Sequence, residues 1–139
     1  MKKVGVAPVL EIFEPGMLYT VFRLRDSGKI SKPGIVNILL GVEGASAANE
    51  RELRHLVGLV PEDLEWAVAG ICKYQNSMIE LGIKLGGNVR VGMEDNPRGD
   101  HANWSNVDSV KKAVDVASKN GRNISSPTQA RKRLGLPLR

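Results

Sequence analysis

One short stretch of the sequence places charged residues inside a run that otherwise favours a buried strand. The stretch GGNVRVGMEDN spans Gly86 to Asn96 and contains Arg90, Glu94 and Asp95. An arginine binds a carboxylate through two parallel N–H donors, and a glutamate offers a hard oxygen ligand to a metal ion. The residue types therefore indicate either a ligand or metal site or a structural Arg–Glu ion pair, and the pattern alone leaves both open.

The element that must position these charges is a predicted strand from Asn88 to Glu94. Because side chains alternate along a strand, Arg90 and Glu94 would share one face, with Gly92 between them leaving room for a ligand. Asp95 would lie just beyond the C-terminal end of the strand, where parallel α/β enzymes assemble their sites. The apolar residues of the opposite face, which should pack against helices, are Val89, Val91 and Met93.

Three further strand–helix units are predicted ahead of this strand. The predicted strands are Val9–Phe13, 35–42 and Glu65–Ile71, and the predicted helices are Met17–Ser27, Glu50–Val60 and Asn76–Leu85. After the fourth strand, a helix at Asn106–Lys119 should begin at a Ser105 cap, and a last helix should begin at Ser126-Pro127. Strands that alternate with helices four times predict a parallel α/β fold. Counting elements does not distinguish a small complete α/β protein from half of a (β/α)8 barrel.

Other polar or small residues occur at positions that could face the same site. Glu11 lies inside the first predicted strand and Asn37 interrupts the second, although each is more often a satisfied structural group. Gly44 belongs to the small-residue segment Leu40–Ala48, which leaves backbone amides exposed after a strand. That segment has neither the P-loop pattern nor a dinucleotide fingerprint, so its composition is weak evidence for phosphate or carboxylate binding.

Composition narrows the class of protein. A chain of 139 residues with 42% hydrophobic content is typical of one globular domain, and we predict no membrane-spanning segment. Cys72 is the single cysteine, which excludes a disulfide framework and favours a reducing cytoplasm. From Lys111 to Arg139 the charge is +7, so residues 1–110 carry −2 of the total of +5. No aromatic residues accompany this basic region, and we do not expect a nucleic-acid partner.

Several segments together resemble the beta-keto acid cleavage enzymes. They are PVLEIFEPGML, IVNILLGVEGA, WAVAGI, GGNVRVGMEDN and SSPTQARKRLGL, in this order from about Val6 to Leu136. The resemblance is to the C-terminal half of that family only, and it implies four parallel βα units, strands five to eight of a (β/α)8 barrel. Residues 1–139 would then form a single partial-barrel domain in which residues 122–139 are a C-terminal helical extension.

The resemblance also implies a reaction and a set of site residues. Family members condense a beta-keto acid with acetyl-CoA and cleave the product, giving acetoacetate and a new CoA thioester. By this similarity Arg90 and Asp95 correspond to catalytic residues, and Glu94 corresponds to the carboxylate ligand of a divalent metal, normally zinc. Substrate-binding roles are predicted for Glu11, Asn37 and Gly44. Two histidine ligands of the zinc would come from the half that this chain does not match, since neither His55 nor His101 lies at a matching position.

A chain that carries half of a barrel is predicted to need a partner. We expect either a homo-oligomer or pairing with an N-terminal half-barrel, and we expect the chain to be inactive alone. A non-catalytic half-barrel that binds CoA or an acidic metabolite through Arg90 is the alternative. That alternative predicts metal-independent binding that Arg90→Ala weakens and Glu94→Ala barely changes. A basic nucleic-acid-associated domain is a third hypothesis, which steep salt dependence of binding would support.

Overall fold

Strands and helices alternate along the chain in the computed structural model, which describes residues 3, 6–30, 34–101 and 103–138. The strands are β1 (Val9–Ile12), β2 (Ile35–Leu40), β3 (Glu65–Gly70) and β4 (Asn88–Val89). The helices are α1 (Pro15–Asp26), α2 (Glu50–Leu59), α3 (Gln75–Lys84), α4 (Asn106–Lys119) and α5 (Pro127–Arg133), with a short 3-10 helix at Cys72–Tyr74 before α3. Within these described ranges no helix is both long and apolar enough to cross a membrane.

The four strands form one parallel sheet in the order β1-β2-β3-β4. This arrangement confirms the predicted parallel α/β fold, and it is consistent with half of a (β/α)8 barrel. Register places Glu11 of β1 beside Asn37 of β2, Asn37 beside Ala67 of β3, and Ala67 beside Asn88 of β4. These four side chains therefore lie in one row across the sheet, on the same face as Arg90.

The opposite face of the sheet carries the main hydrophobic core. Residues at alternate positions of the strands, such as Ile12, Ile38 and Val68, are almost completely buried. They pack with side chains of α1, α2 and α3, among them Leu18, Leu53 and Met78. Because alternation sends one set of side chains to the helices, the other set, which includes Glu11 and Arg90, is directed to the face that the helices do not cover.

Helix boundaries largely confirm the cap predictions. Ser105 and Ser126 each form a complete capping box, with Asp108 and Gln129 respectively. Asn49 caps α2 by accepting a hydrogen bond from the Glu52 N–H at 2.9 Å. Helix α1 begins at Pro15, two residues earlier than predicted, because proline suits the first turn of a helix, where the N–H would have no intrahelical acceptor.

The fourth strand is shorter than the predicted Asn88–Glu94. Regular pairing ends at Val89, although the Arg90 N–H still donates to the Val68 carbonyl at 2.9 Å. At Gly92 the φ angle is +155°, and the next three residues form a turn instead of continuing the strand. Glu94 therefore lies in a turn and not on the strand face predicted for it, although its carboxylate still contacts Arg90. The packed position predicted for Met93 is wrong, since its exposed fraction is 40%.

Val89 and Val91 do pack against helices, as predicted. They contact a second hydrophobic cluster that α3 and α4 form with Ile79, Ile83 and Ala113. This cluster packs α3 and α4 against the end of β4, where the chain leaves the sheet at Arg90.

Gly70 at the end of β3 gives a stability prediction with a matched control. A Cβ at this position would lie 2.3 Å from the Tyr74 carbonyl oxygen, which belongs to the backbone and cannot rotate away. We expect Gly70→Ala to lower the free energy of unfolding by about 3 kcal/mol, as overpacking does in a tight site. At Gly58 in α2 no neighbouring atom of the described residues comes within 4 Å of such a Cβ, so Gly58→Ala should leave stability unchanged or raise it by up to about 1 kcal/mol. Urea unfolding of both variants tests the contrast, which equal losses would contradict.

Candidate functional site

Arg90 is the centre of a cluster of charged groups. Its Nη1 donates to Glu11 Oε1 at 2.5 Å, and its Nη2 donates to Glu94 Oε2 and to Asp95 Oδ1, both at 3.0 Å. Its Nε lies 3.0 Å from Asp95 Oδ2, so that the Arg90–Asp95 contact is bidentate. The cluster joins β1 to the turn after β4, and it brings together four of the six residues that the sequence analysis proposed for the site.

The three carboxylates differ sharply in exposure. The side chain of Asp95 is 5% exposed, that of Glu11 is 43% exposed, and that of Glu94 is 87% exposed. Two fixed N–H donors against a buried carboxylate hold both groups in one orientation. Asp95 is thus placed to orient the guanidinium, whereas Glu94 presents its carboxylate to solvent and can accept a further partner.

Burial and charge act in opposite directions on the titration of the buried pair. Burial raises the pKa of the Asp95 carboxyl above its usual value, and the adjacent Arg90 guanidinium only partly opposes this rise. For Arg90, burial alone would lower the pKa, but the negative charges of Asp95, Glu11 and Glu94 outweigh burial and raise it. Arg90 therefore stays a cation at any physiological pH, while Asp95 is the member of the pair whose charge responds to acid.

The turn that carries Glu94 and Asp95 is held from three sides. Gln75, whose exposed fraction is 1%, donates from Nε2 to the Gly92 carbonyl at 2.9 Å. The Met93 N–H donates to Asn106 Oδ1 at 2.8 Å, and the Cys72 N–H donates to the Asp95 carbonyl at 2.6 Å. In these bonds the backbone groups of Gly92, Met93 and Asp95 pair with partners outside the sheet. Strand pairing with β3 therefore stops, and β4 ends early.

Sequence reasoning missed the positioning role of Gln75. The signal was present, because Gln75 occupies the apolar stripe of α3 together with Met78, Ile79 and Ile83. A long amide at a buried stripe position needs a partner, and the carbonyl of Gly92 supplies one.

Cys72 is exposed, and its φ angle of +53° is unusual for a residue with a side chain.

Asn37 is buried, and the described residues provide no hydrogen-bond partner for its side-chain amide. Its exposed fraction is 3%, and both Nδ2 and Oδ1 are unpaired within that part of the chain. Register places it directly beside Glu11, on the face across which Arg90 reaches Glu11. A buried amide left unpaired costs about 1–3 kcal/mol of stability, so Asn37 at this position indicates a role other than stabilising the fold.

The remaining predicted residues lie outside the charged cluster. Gly44 is exposed in the turn after β2, and that turn is tied to β1 by the Ser46 N–H, which donates to the Phe13 carbonyl at 3.0 Å. His55 is exposed on α2, and His101 packs edge-to-face on Trp104 with ring centroids 5.2 Å apart.

Asp100, in the loop between β4 and α4, gives a prediction of pH dependence. Hydrogen bonds from Lys112 at 2.5 Å and from Asn76 at 2.9 Å lower the pKa of its carboxyl. A lowered pKa means that Asp100 stabilises the fold above its unfolded value of 3.8 and that this stabilisation is lost as the pH falls through the folded value. We therefore expect Asp100→Asn to cost at most about 1 kcal/mol near neutral pH and nothing in strong acid. Urea unfolding at both pH values measures the difference, and a cost independent of pH would contradict the assignment.

The described residues do not by themselves form a metal site. They contain no group of three or more histidine, cysteine, aspartate or glutamate side chains arranged to hold an ion. Zinc sites need three or four protein ligands, and Glu94 offers one. The part of the chain that the structure describes therefore does not fit a zinc ion without donors from elsewhere.

The fold and the site define a class of protein. Parallel strands with the charged cluster at their carboxyl ends are the arrangement in which α/β enzymes assemble their sites. The sequence model of the beta-keto acid cleavage enzymes matches residues 1–136, which is nearly the whole chain. The chain belongs to the beta-keto acid cleavage enzyme family, as its sequence segments indicated.

Relatives with assigned activities support the same family. The chain is 38% identical over 134 residues to the 3-keto-5-aminohexanoate cleavage enzyme of Fusobacterium nucleatum, covering 95% of this chain and 48% of that protein. It is 37% identical to the enzyme of the same name from Acetoanaerobium sticklandii, covering 98% of this chain and 50% of that protein. The 3-oxoadipate:acetyl-CoA acetyltransferase of Cupriavidus necator is 30% identical over 99% of this chain and 50% of its own length. The chain thus spans about half the length of the curated relatives it matches.

Proposed function

We propose that this chain supplies one wall of the active site of an acetyl-CoA-dependent beta-keto acid cleavage enzyme. The observation that carries the proposal is the cluster of Arg90 with Glu11, Glu94 and Asp95 at the carboxyl end of the sheet. The family assignment and two relatives whose names combine acetyl-CoA with a transferase activity support the reaction class. In that reaction a beta-keto acid and acetyl-CoA exchange acyl groups, giving acetoacetate and a new acyl-CoA.

Arg90 is proposed to stabilise negative charge that develops on a substrate oxygen. Contacts with the three carboxylates occupy Nε, Nη2 and one side of Nη1. A guanidinium has five N–H donors, so one Nη1 hydrogen has no partner among the described residues and is available to a ligand. Cleavage of a carbon–carbon bond next to a carbonyl develops charge on that oxygen, and a donor that is already oriented stabilises it without reorganisation.

Asp95 and Glu11 are proposed to hold that donor in place. Asp95 contacts both Nε and Nη2, which fixes the plane of the guanidinium, while Glu11 of β1 accepts a hydrogen bond from Nη1. An arginine held on both sides loses little conformational entropy when a substrate binds. Asp95 is on this account a positioning residue for Arg90, and Arg90 is the residue that touches the substrate.

Glu94 is proposed to contribute one ligand to a divalent metal, normally zinc, whose other ligands lie outside the described residues. Three carboxylates around one guanidinium leave a formal charge of −2, which favours a cation close by. The exposed Glu94 carboxylate is the member of the cluster that a cation can reach. A bound metal would supply Lewis-acid stabilisation of substrate oxygens.

Asn37 and Gly44 are proposed to contact substrate, as the sequence analysis predicted. For Asn37 the support is its buried and unpaired amide next to Glu11, which has both a donor and an acceptor to offer. For Gly44 the support is its place in an exposed turn at the carboxyl end of the sheet, where a backbone N–H can meet an anionic group.

Reconstitution tests this function. The chain is co-expressed with the part of the Fusobacterium nucleatum relative that it does not match, and zinc content, mass and acetyl-CoA-dependent formation of acetoacetate are measured on the same sample. We expect about one zinc per assembled pair, and turnover of a short beta-keto acid that the separate chain lacks. Glu94→Ala should abolish metal binding, whereas Glu80→Ala, an exposed glutamate on α3, should not.

Two outcomes would decide against the enzyme proposal. An assembly that forms without zinc and without turnover would contradict it. Metal-independent binding of CoA that Arg90→Ala weakens and Glu94→Ala leaves unchanged would instead support a non-catalytic binding half-barrel.

A further inference from the structure

A cavity of about 790 Å³ opens at the carboxyl end of the sheet. Its walls come from three neighbouring loops, which follow β2, β3 and β4. Each loop lies between a strand and a helix of this chain, so the cavity does not depend on the two edges of the sheet. Cavities of this size are typical of binding sites for small molecules and cofactors.

The cavity adjoins the proposed catalytic cluster. Asn96, one of its lining residues, directly follows Asp95 in the chain. Cys72 also lines it, and the Cys72 N–H donates to the Asp95 carbonyl at 2.6 Å. The loops after β3 and β4 therefore meet at the aspartate that contacts Arg90, and a ligand in the cavity lies next to that residue.

Two cations on the cavity wall form no ion pair with any described residue. Lys73 and Arg98 are both exposed there, and the Lys73 ammonium lies 5.1 Å from the centre of the Tyr74 ring. Asp100, the acidic residue on the same wall, is already paired with Lys112 at 2.5 Å. The wall therefore carries a net positive charge, which favours an anionic ligand.

The start of α3 adds to this positive field. Helix α3 has ten residues, its first turn contains no acidic residue, and the Tyr74 side chain makes no capping hydrogen bond. Free N–H groups at the start of a helix carry a partial positive charge and bind phosphate groups. Tyr74 and Asn76 both line the cavity, so this end of the helix is part of its wall.

Asn76 offers the cavity an acceptor that is unpaired within the described part of the chain. Its Nδ2 donates to Asp100 Oδ1 at 2.9 Å, which identifies the other amide atom as the oxygen, and that oxygen is buried without a partner. A phosphate cannot satisfy an oxygen acceptor, whereas an amide N–H can. The wall therefore suits a ligand that combines anionic groups with amide N–H donors, as CoA does through its phosphates and its pantetheine arm.

We propose that Lys73, Arg98 and the start of α3 bind the phosphate groups of the CoA co-substrate. Asn76 Oδ1 accepts a hydrogen bond from an amide of the pantetheine arm. That arm separates the thiol of CoA from its phosphates, so phosphates held on this wall leave the thioester free to reach the Arg90 cluster. The inference rests on the proposed function, which names acetyl-CoA, and deepens it by assigning the residues that bind this co-substrate.

Titration calorimetry of the full chain with CoA is the first test. We expect binding that weakens as salt is added, and Lys73→Ala with Arg98→Ala should weaken it about 10-fold or more, because both charge-assisted contacts are lost. The matched control is Arg51→Ala with Lys111→Ala, which removes one arginine and one lysine from exposed positions of α2 and α4. Equal weakening in the two double variants would mean attraction by net charge alone and would overturn the site.

A fragment of CoA tests which part of the ligand meets which residue. Adenosine 3′,5′-bisphosphate carries phosphates but no pantetheine arm, so Lys73→Ala with Arg98→Ala should weaken its binding as well. Asn76→Ala should weaken CoA binding about 3-fold or more, the effect of one lost hydrogen bond, and leave the affinity for the fragment unchanged. An equal loss for both ligands in Asn76→Ala would mean that Asn76 only supports the loop, and would overturn its contact with the arm.

Failure of this inference is distinguishable from failure of the proposed function. In the reconstituted enzyme, Lys73→Ala with Arg98→Ala should raise KM for acetyl-CoA about 10-fold and change kcat little, since the phosphates lie away from the reacting carbons. A chain that does not bind CoA, or turnover with an unchanged KM, would overturn the site and leave the enzyme proposal intact. CoA binding with the expected losses, together with reconstitution that yields no turnover, would uphold the site and remove the enzyme proposal.

Discussion

Replacing Arg90 with methionine is expected to lower the free energy of unfolding by about 3 kcal/mol near neutral pH. The substitution keeps the apolar stem of the side chain but removes the only cation in contact with Asp95 that the described residues provide. Asp95 is 5% exposed, so its charge would remain buried without compensation. Urea unfolding of the purified variant measures the loss.

The same variant should show a distinctive pH dependence. Burial already raises the pKa of Asp95, and Arg90 opposes that rise, so removing Arg90 raises the pKa further. A raised pKa means that the folded state is more stable when this carboxyl is protonated. The loss in free energy of unfolding should therefore be largest above the raised pKa and shrink as the pH falls through it. Comparing unfolding at about pH 7 and about pH 4 tests this sign.

Lys84 provides the control for Arg90→Met. It makes an exposed contact with Glu80 at 3.8 Å, and exposed pairs contribute little. Lys84→Met should therefore change the free energy of unfolding by less than about 0.5 kcal/mol. Equal losses in the two variants, or a loss at Arg90 that does not depend on pH, would mean that the buried charge of Asp95 does not cause the loss of stability.

Asp95→Asn is expected to reduce kcat of the reconstituted enzyme by about 100-fold, the usual cost of losing a fixed charge-stabilising contact. An asparagine retains one oxygen for the guanidinium but loses the charge and the second acceptor, so Arg90 would no longer be held in one plane. Substrate binding should change less than turnover, because the donor itself remains. Steady-state kinetics separate the two effects.

The pH profile identifies the role of Asp95 more specifically than the rate does. Since its pKa is raised, activity of the unmodified enzyme should fall as acid protonates the carboxyl and loosens Arg90. The Asp95→Asn enzyme should lack this acidic limb, because asparagine does not titrate. Asp115→Asn on the exposed side of α4 should keep both rate and profile. An unchanged acidic limb in Asp95→Asn would assign that limb to another group.

Much of the fold was determined by local sequence patterns. Alternating strand and helix signals predicted a parallel α/β sheet, and Ser105 and Ser126 predicted where two helices begin. These features depend on periodicity and on capping groups within a few residues, so they are readable without tertiary structure. Family resemblance added the half-barrel expectation and the roles of Arg90, Glu94 and Asp95.

Only the tertiary structure decided how that group is assembled. Glu11 reaches Arg90 from 79 residues away, a contact that alternation within one strand cannot predict. The predicted strand to Glu94 ended early because Gln75 and Asn106, 17 and 13 residues away from their partners, bind the backbone of the turn at Gly92 and Met93. The sequence by itself determined which charges are present and which elements carry them. Tertiary structure decided their geometry, because the partners that bend the chain come from neighbouring elements.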